Sequence, residues 1–132
     1  MPGSSYLLDT NAAIAVLNEA EALSHVPEQS ELYLSCVTLG ELVYVARRSA
    51  RAELNLERIR SLSAVCPVIG CDEDSAHHYG RLKNHLRAKG RPIPDNDLWI
   101  AAIAVQYGLI LLTRDSHFYE FNELDELVTQ SW

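Results

Sequence analysis

Four acids sit where a protein could use them for chemistry. Asp9 follows the apolar run Tyr6-Leu7-Leu8, Glu41 lies in Thr38-Leu39-Gly40-Glu41-Leu42, Asp97 closes Pro94-Asp95-Asn96-Asp97, and Asp115 follows Leu112-Thr113-Arg114. Taken singly, each has a plain role. Asp95 and Asp97 would cap a helix and oppose its dipole, worth about 1 kcal/mol. Asp9 would form a turn with Asn11, Glu41 would lie on a helix surface, and Asp115 would cap a short helix. Taken together they imply something else. Two carboxylates about 4 Å apart repel by about 4 kcal/mol at an effective dielectric of 20, so a cluster of them needs a cation or shared protons. Carboxylate oxygens with no His or Cys in the set select Mg²⁺ or Mn²⁺. Such ions activate water and clamp phosphoryl oxygens.

Competing chemistries lack their residues. His77, His78, His85 and His117 form no HExxH and no zinc spacing. No Gly-rich phosphate loop and no GxSxG elbow is present. A haloacid-dehalogenase site needs Asp-x-Asp after the first strand, whereas Asp9 is followed by Thr10 and Asn11; a receiver needs a late Lys, and none follows Lys89. Cys36, Cys66 and Cys71 form no CxxC pair and read as buried thiols in a reducing cytoplasm.

The elements that must position the acids alternate between strand and helix. Tyr6–Leu8, Leu32–Cys36, Pro67–Ile69 and Leu109–Thr113 read as strands. Residues 12–17 (capped by Asn11 or Thr10), 38–48, 50–62 (with Leu54, Ile59 and Leu62 inward), 75–89 and 98–106 read as helices. Alternation of this kind implies a parallel sheet covered on both faces, and the unbroken apolar Leu109–Thr113 fits a strand buried on both sides. The expected fold is a three-layer α/β/α domain with a mostly parallel sheet of four or five strands. Ligands of such sheets bind beyond the carboxyl ends of the strands, where Asp9, Glu41 and Asp115 fall. Asp97 is the least secure by this rule, because it precedes a strand.

At 132 residues the chain is read as one domain spanning 1–132, long enough for a core of its own. The longest apolar helix candidate, Trp99–Val105, stops at Gln106, too short for a membrane span, and no basic region opens a signal peptide. The net charge of −7 speaks against nonspecific nucleic-acid binding, but it is unevenly spread. Residues 42–94 hold ten Lys and Arg against five acids, a block of +5; the flanks hold thirteen acids and Arg114, together −12. Arg81, Lys83, Arg87, Lys89 and Arg91 are either a solvated face or a track for RNA phosphates.

The series Leu7-Leu8-Asp9-Thr10-Asn11, Thr38-Leu39-Gly40-Glu41-Leu42, Ile93-Pro94-Asp95-Asn96-Asp97-Leu98-Trp99-Ile100-Ala101-Ala102 and Leu112-Thr113-Arg114-Asp115 resembles the PIN domain, and is most similar to the VapC-type toxins of toxin–antitoxin pairs. The resemblance covers nearly the whole chain. It implies a metal-dependent endoribonuclease, with Mg²⁺ or Mn²⁺ held by Asp9, Glu41, Asp97 and Asp115. Thr10, Asn11 and Thr113 correspond to polar residues around that site, Thr38 to a hydroxyl before the second acid, and Asp95 to an extra acid that binds water or caps. It further implies an RNA substrate, a small cognate antitoxin and a homodimer. The alternative in another class is a PIN-like module that binds RNA or protein without cutting.

Overall fold

The computed structural model describes residues 4–18 and 26–132. Glu19 and Glu21, counted in the acidic flank, lie outside them. In chain order the elements are β1 (Ser5–Leu8), α1 (Thr10–Leu17), β2 (Glu31–Ser35), α2 (Cys36–Arg48), α3 (Ala52–Val65), β3 (Val68–Ile69), α4 (Glu73–Ala88), α5 (Asp95–Tyr107), β4 (Ile110–Leu112), a 3₁₀ helix (Ser116–Leu124) and β5 (Thr129–Gln130). Every strand pairing is parallel, in the order β3-β2-β1-β4-β5. The expected three-layer α/β/α architecture is therefore present, with five strands.

The apolar strands explain the layers. Successive side chains of a strand face opposite sides. Leu7 and Leu111 join one core with α4, α5 and the 3₁₀ helix, where Phe118 and Phe121 are its largest fully buried side chains. Tyr6, Leu8 and Leu112 join the other with α1, α2 and α3. Both faces of β1 and β4 are dry, as a run such as Leu109–Thr113 requires.

The order of strands reverses at β1, which pairs with β2 on one side and β4 on the other. A crevice opens outside the carboxyl ends at such a point. Asp9 follows β1 there, and Thr113 and Asp115 follow β4. The helix α5 also begins there. Gly108, in the left-handed conformation at φ 63°, ends α5 and turns the chain into β4 within two residues. A helix joined so tightly runs antiparallel to its strand, and its first turn returns to the strand's carboxyl end.

Several local readings are corrected. Asp9, not Asn11 or Thr10, caps α1: its Oδ1 accepts from Ala12 N–H at 2.7 Å. In α3, Leu54 is 51% exposed, and Leu56, Ile59 and Leu62 face the core, a regular three-residue spacing. Only Cys66 is a buried thiol; Cys36 is half-buried, Cys71 is exposed, and their Sγ atoms lie 3.7 Å apart as free thiols. The C-terminal tail supplies β5. From the exposure difference, Leu56→Ala is expected to cost about 2–5 kcal/mol in urea unfolding and Leu54→Ala less than about 0.5 kcal/mol. Equal losses would contradict the assignment of the inward face.

Candidate active site

Each acid is held by a different piece of local structure. Asp9 is 3% exposed, and its capping role fixes the rotamer that brings its carboxylate to the crevice. Glu41 lies in the second turn of α2, whose own cap is Ser35 accepting from Thr38 N–H at 3.0 Å. Thr10 Oγ1 donates to Glu41 Oε1 at 2.7 Å and lies 3.3 Å from the buried Thr38 hydroxyl, so a chain of hydroxyls ties α1 to α2 behind Glu41. Asp97 is in the first turn of α5, a helix that starts without a side-chain cap. Asp115 caps the 3₁₀ helix by accepting from His117 N–H at 2.9 Å, and its own N–H donates to Thr113 Oγ1 at 2.9 Å.

The charges of these acids act on one another. Burial pushes the Asp9 carboxyl above its usual range, hydrogen bonds from the Thr113 hydroxyl and Ala12 N–H pull it back, and the charges of Asp115 and Asp97 push it up again. Burial likewise raises Asp97; a hydrogen bond from His117 opposes this, while Asp115 and Glu41 repel its charge. The tightest grouping is Asp97, Asp115 and His117, whose ligand atoms all lie within 4.8 Å of one another. His117 Nδ1 is 2.9 Å from Asp97 Oδ2 and 3.2 Å from Asp115 Oδ1. The donor set, carboxylates with one imidazole and no Lys or Arg paired to them among the described residues, fits a divalent cation.

His117 is the residue that sequence reasoning passed over. It has no metal spacing along the chain, and its one signal is its place two residues after Asp115. Other expected residues lie elsewhere. Asn11 is exposed on α1 and makes no side-chain hydrogen bond among the described residues. Asp95 turns away from the acids to α4, accepting from Tyr79 Oη at 2.8 Å and Lys83 Nζ at 3.1 Å, which hold its carboxyl below the usual range.

The basic residues are mostly engaged within the domain. Arg81 pairs with Glu126 at 2.6 Å and Lys83 with Asp95 at 3.1 Å. Lys89 and His85 share Glu123 at 2.6 and 2.7 Å, and their hydrogen bonds, Lys89 first, hold that carboxyl down to about 2. Arg91 is 3.9 Å from Glu120. Among the described residues Arg87 alone of the five basic candidates makes no ion pair. Four of the five are therefore paired with carboxylates at the surface of the domain.

The raised Asp9 carboxyl sets a pH dependence. A carboxyl whose folded-state pKa exceeds its usual 3.8 supports the fold only while protonated. That contribution is complete below pH 3.8 and is lost as pH rises through the folded-state value. Asp9→Asn keeps the cap but removes the ionisation. In urea unfolding of metal-free protein, Asp9→Asn is expected to be more stable than wild type at pH 7, and the two to converge below pH 3.8. A variant that is less stable at pH 7 would contradict the buried-charge account.

With this geometry in view, comparison with known proteins is specific. Residues 6–124 match the PIN domain family. Ribonuclease VapC1 of Haemophilus influenzae is 33% identical over 132 residues, covering 96% of this chain and 97% of the relative. The tRNA(fMet)-specific endonuclease VapC of Shigella flexneri is 32% identical over 130 residues, with 96% and 97% covered. Among solved structures, VapBC-1 from nontypeable Haemophilus influenzae superposes with a TM-score of 0.84 at 32% identity, over 97% of this chain and 98% of that one. The chain belongs to the PIN-domain family, alongside the VapC ribonucleases.

Proposed function

We propose that this chain is the toxin of a toxin–antitoxin pair, a metal-dependent endoribonuclease acting at the carboxyl edge of its sheet. The observation that carries the reading is the approach of Asp97, Asp115 and His117 beside the strand-order reversal, with Asp9 and Glu41 near enough to feel their charges, in a chain that is PIN-like over residues 6–124. Asp97 and Asp115 would hold Mg²⁺ or Mn²⁺, with Asp9 and Glu41 completing the site directly or through water. Such an ion, when bound, would supply an activated water and a clamp on the phosphoryl oxygens. The protein supplies the rest: Thr10, backed by Thr38, holds Glu41 from α1, Thr113 and Ala12 N–H hold Asp9, and the first turn of α5 favours negative charge.

The curated and solved relatives are VapC ribonucleases and VapBC complexes, and the partner proposed here is the corresponding antitoxin. A groove of about 260 Å³ runs from Thr10 and Glu41 over Ile14, Leu17, Val45 and Ile59. An amphipathic antitoxin segment lying in it reaches the acids. The functional unit is one domain that works as a homodimer in the cytoplasm. No helix among the described residues is long and apolar enough to cross a membrane.

Asp9→Asn and Asp97→Asn are expected to lower RNA cleavage at least about 100-fold with Mg²⁺ or Mn²⁺ present. EDTA is expected to abolish wild-type cleavage, and added divalent ion to restore it. Cleavage that survives both substitutions would overturn the reading. Growth arrest that persists in a double variant of Asp9 and Asp97 that no longer cuts RNA would identify a binding module instead. Binding to single-stranded RNA, measured in an Asp97→Asn background, tests the basic residues. Arg87→Ala should reduce the slope of log affinity against log salt by about 0.7, the share of one phosphate contact, and Arg81→Ala should reduce it by less.

A further inference from the structure

We propose that His117 is a ligand of the active-site ion through Nδ1, and that it tilts this site toward Mn²⁺ over Mg²⁺. The inference rests on the reading of the sheet edge as a metal site and goes beyond the four acids. The same nitrogen that lies 2.9 Å from Asp97 Oδ2 lies 3.2 Å from Asp115 Oδ1, so it stands between the two carboxylates where a cation shared by them would be met. Among the described residues these three side chains form the only group of three or more His, Cys, Asp or Glu compact enough to hold an ion.

The ring is delivered by a firm element. His117 N–H donates to Asp115 Oδ1, and the 3₁₀ helix is anchored by Phe118 and Phe121, both fully buried. The other bases in reach are committed elsewhere: Arg114 packs over the Trp132 ring at 4.0 Å and bonds its carbonyl, and Lys83 binds Asp95. Without the ion Nδ1 donates to the carboxylates; on binding it the ring releases that proton to solvent, keeps its proton on Nε2 and presents a lone pair from Nδ1. Mg²⁺ keeps oxygen ligands and waters. A nitrogen donor adds more to a first-row transition ion.

A simple counter-charge role for His117 makes the opposite prediction. If the imidazolium only balances the two acids, its removal strengthens binding of both ions. The test uses the full chain without a partner. Mn²⁺ binding is titrated by electron paramagnetic resonance, and Mg²⁺ by competition against it. Nitrogen hyperfine coupling to bound Mn²⁺ is read by pulsed methods in wild type and in His117→Ala. The expected result is directly bonded nitrogen coupling in wild type that is absent from His117→Ala, with Mn²⁺ affinity lowered about tenfold and Mg²⁺ affinity changed by no more than about twofold. Wild-type protein that binds Mn²⁺ without nitrogen coupling overturns the His117 assignment and leaves the acid site standing. Equal losses of both ions, or tighter binding in the variant, also overturn it. Wild-type protein that binds no Mn²⁺ overturns the metal site together with this ligand.

Discussion

Asp9 donates its backbone N–H to the Leu112 carbonyl at 3.2 Å, one rung beyond the ladder that joins β1 to β4. The two strands come from opposite ends of the chain, and parallel pairing obliges everything between them to travel over the faces of the sheet. The crevice exists because of that pairing. It sets Asp9 beside Thr113, places Asp115 two residues further on, and brings back the start of α5 with Asp97. The hydroxyl link from Thr10 to Glu41 then closes the site from the α2 side.

Gathering acids at the end of a buried sheet works against the fold. Burial is the largest push on both Asp9 and Asp97; Asp115 and Asp97 add to it at Asp9, and Asp115 and Glu41 at Asp97. The described residues answer with dipoles rather than bases: Ala12 N–H, the Thr113 hydroxyl and the open N-terminus of α5. The exception is His117, which is charged only when protonated. Hydrogen bonds of this kind hold a carboxylate in position without neutralising it. A Lys or Arg in the same place would occupy the room a divalent ion needs and cancel the field that draws it in.

Legibility in the sequence followed the range of the interaction concerned. Leu109–Thr113 announced a strand buried on both faces, because an unbroken apolar run has no other comfortable parallel-sheet environment. Asp9 and Asp115 followed from the rule for strand ends. Asp97 did not, since it precedes β4, and family likeness was needed to place it. Its position has a local cause nonetheless, the Gly108 turn that forces α5 to run back along β4. The inward face of α3 is ambiguous in the sequence at Leu54 and Leu56, both apolar, and only the regular spacing of Leu56, Ile59 and Leu62 meets the core. His117 and the Cys36–Cys71 contact stayed hidden, as each depends on segments that only the tertiary fold brings together.

The charge distribution shows how the basic middle and the acidic end serve the same purpose. Glu120, Glu123 and Glu126 lie in or just after the 3₁₀ helix, and they meet Arg91, Lys89 with His85, and Arg81. Exposed pairs of this sort contribute little one at a time. Here they act along one seam, over a segment whose Phe118 and Phe121 already fill the core. The same segment carries Asp115 at its cap and His117 in its first turn. The basic helix α4 therefore serves the site at a distance. It fastens the short helix that brings a carboxylate and an imidazole to Asp97.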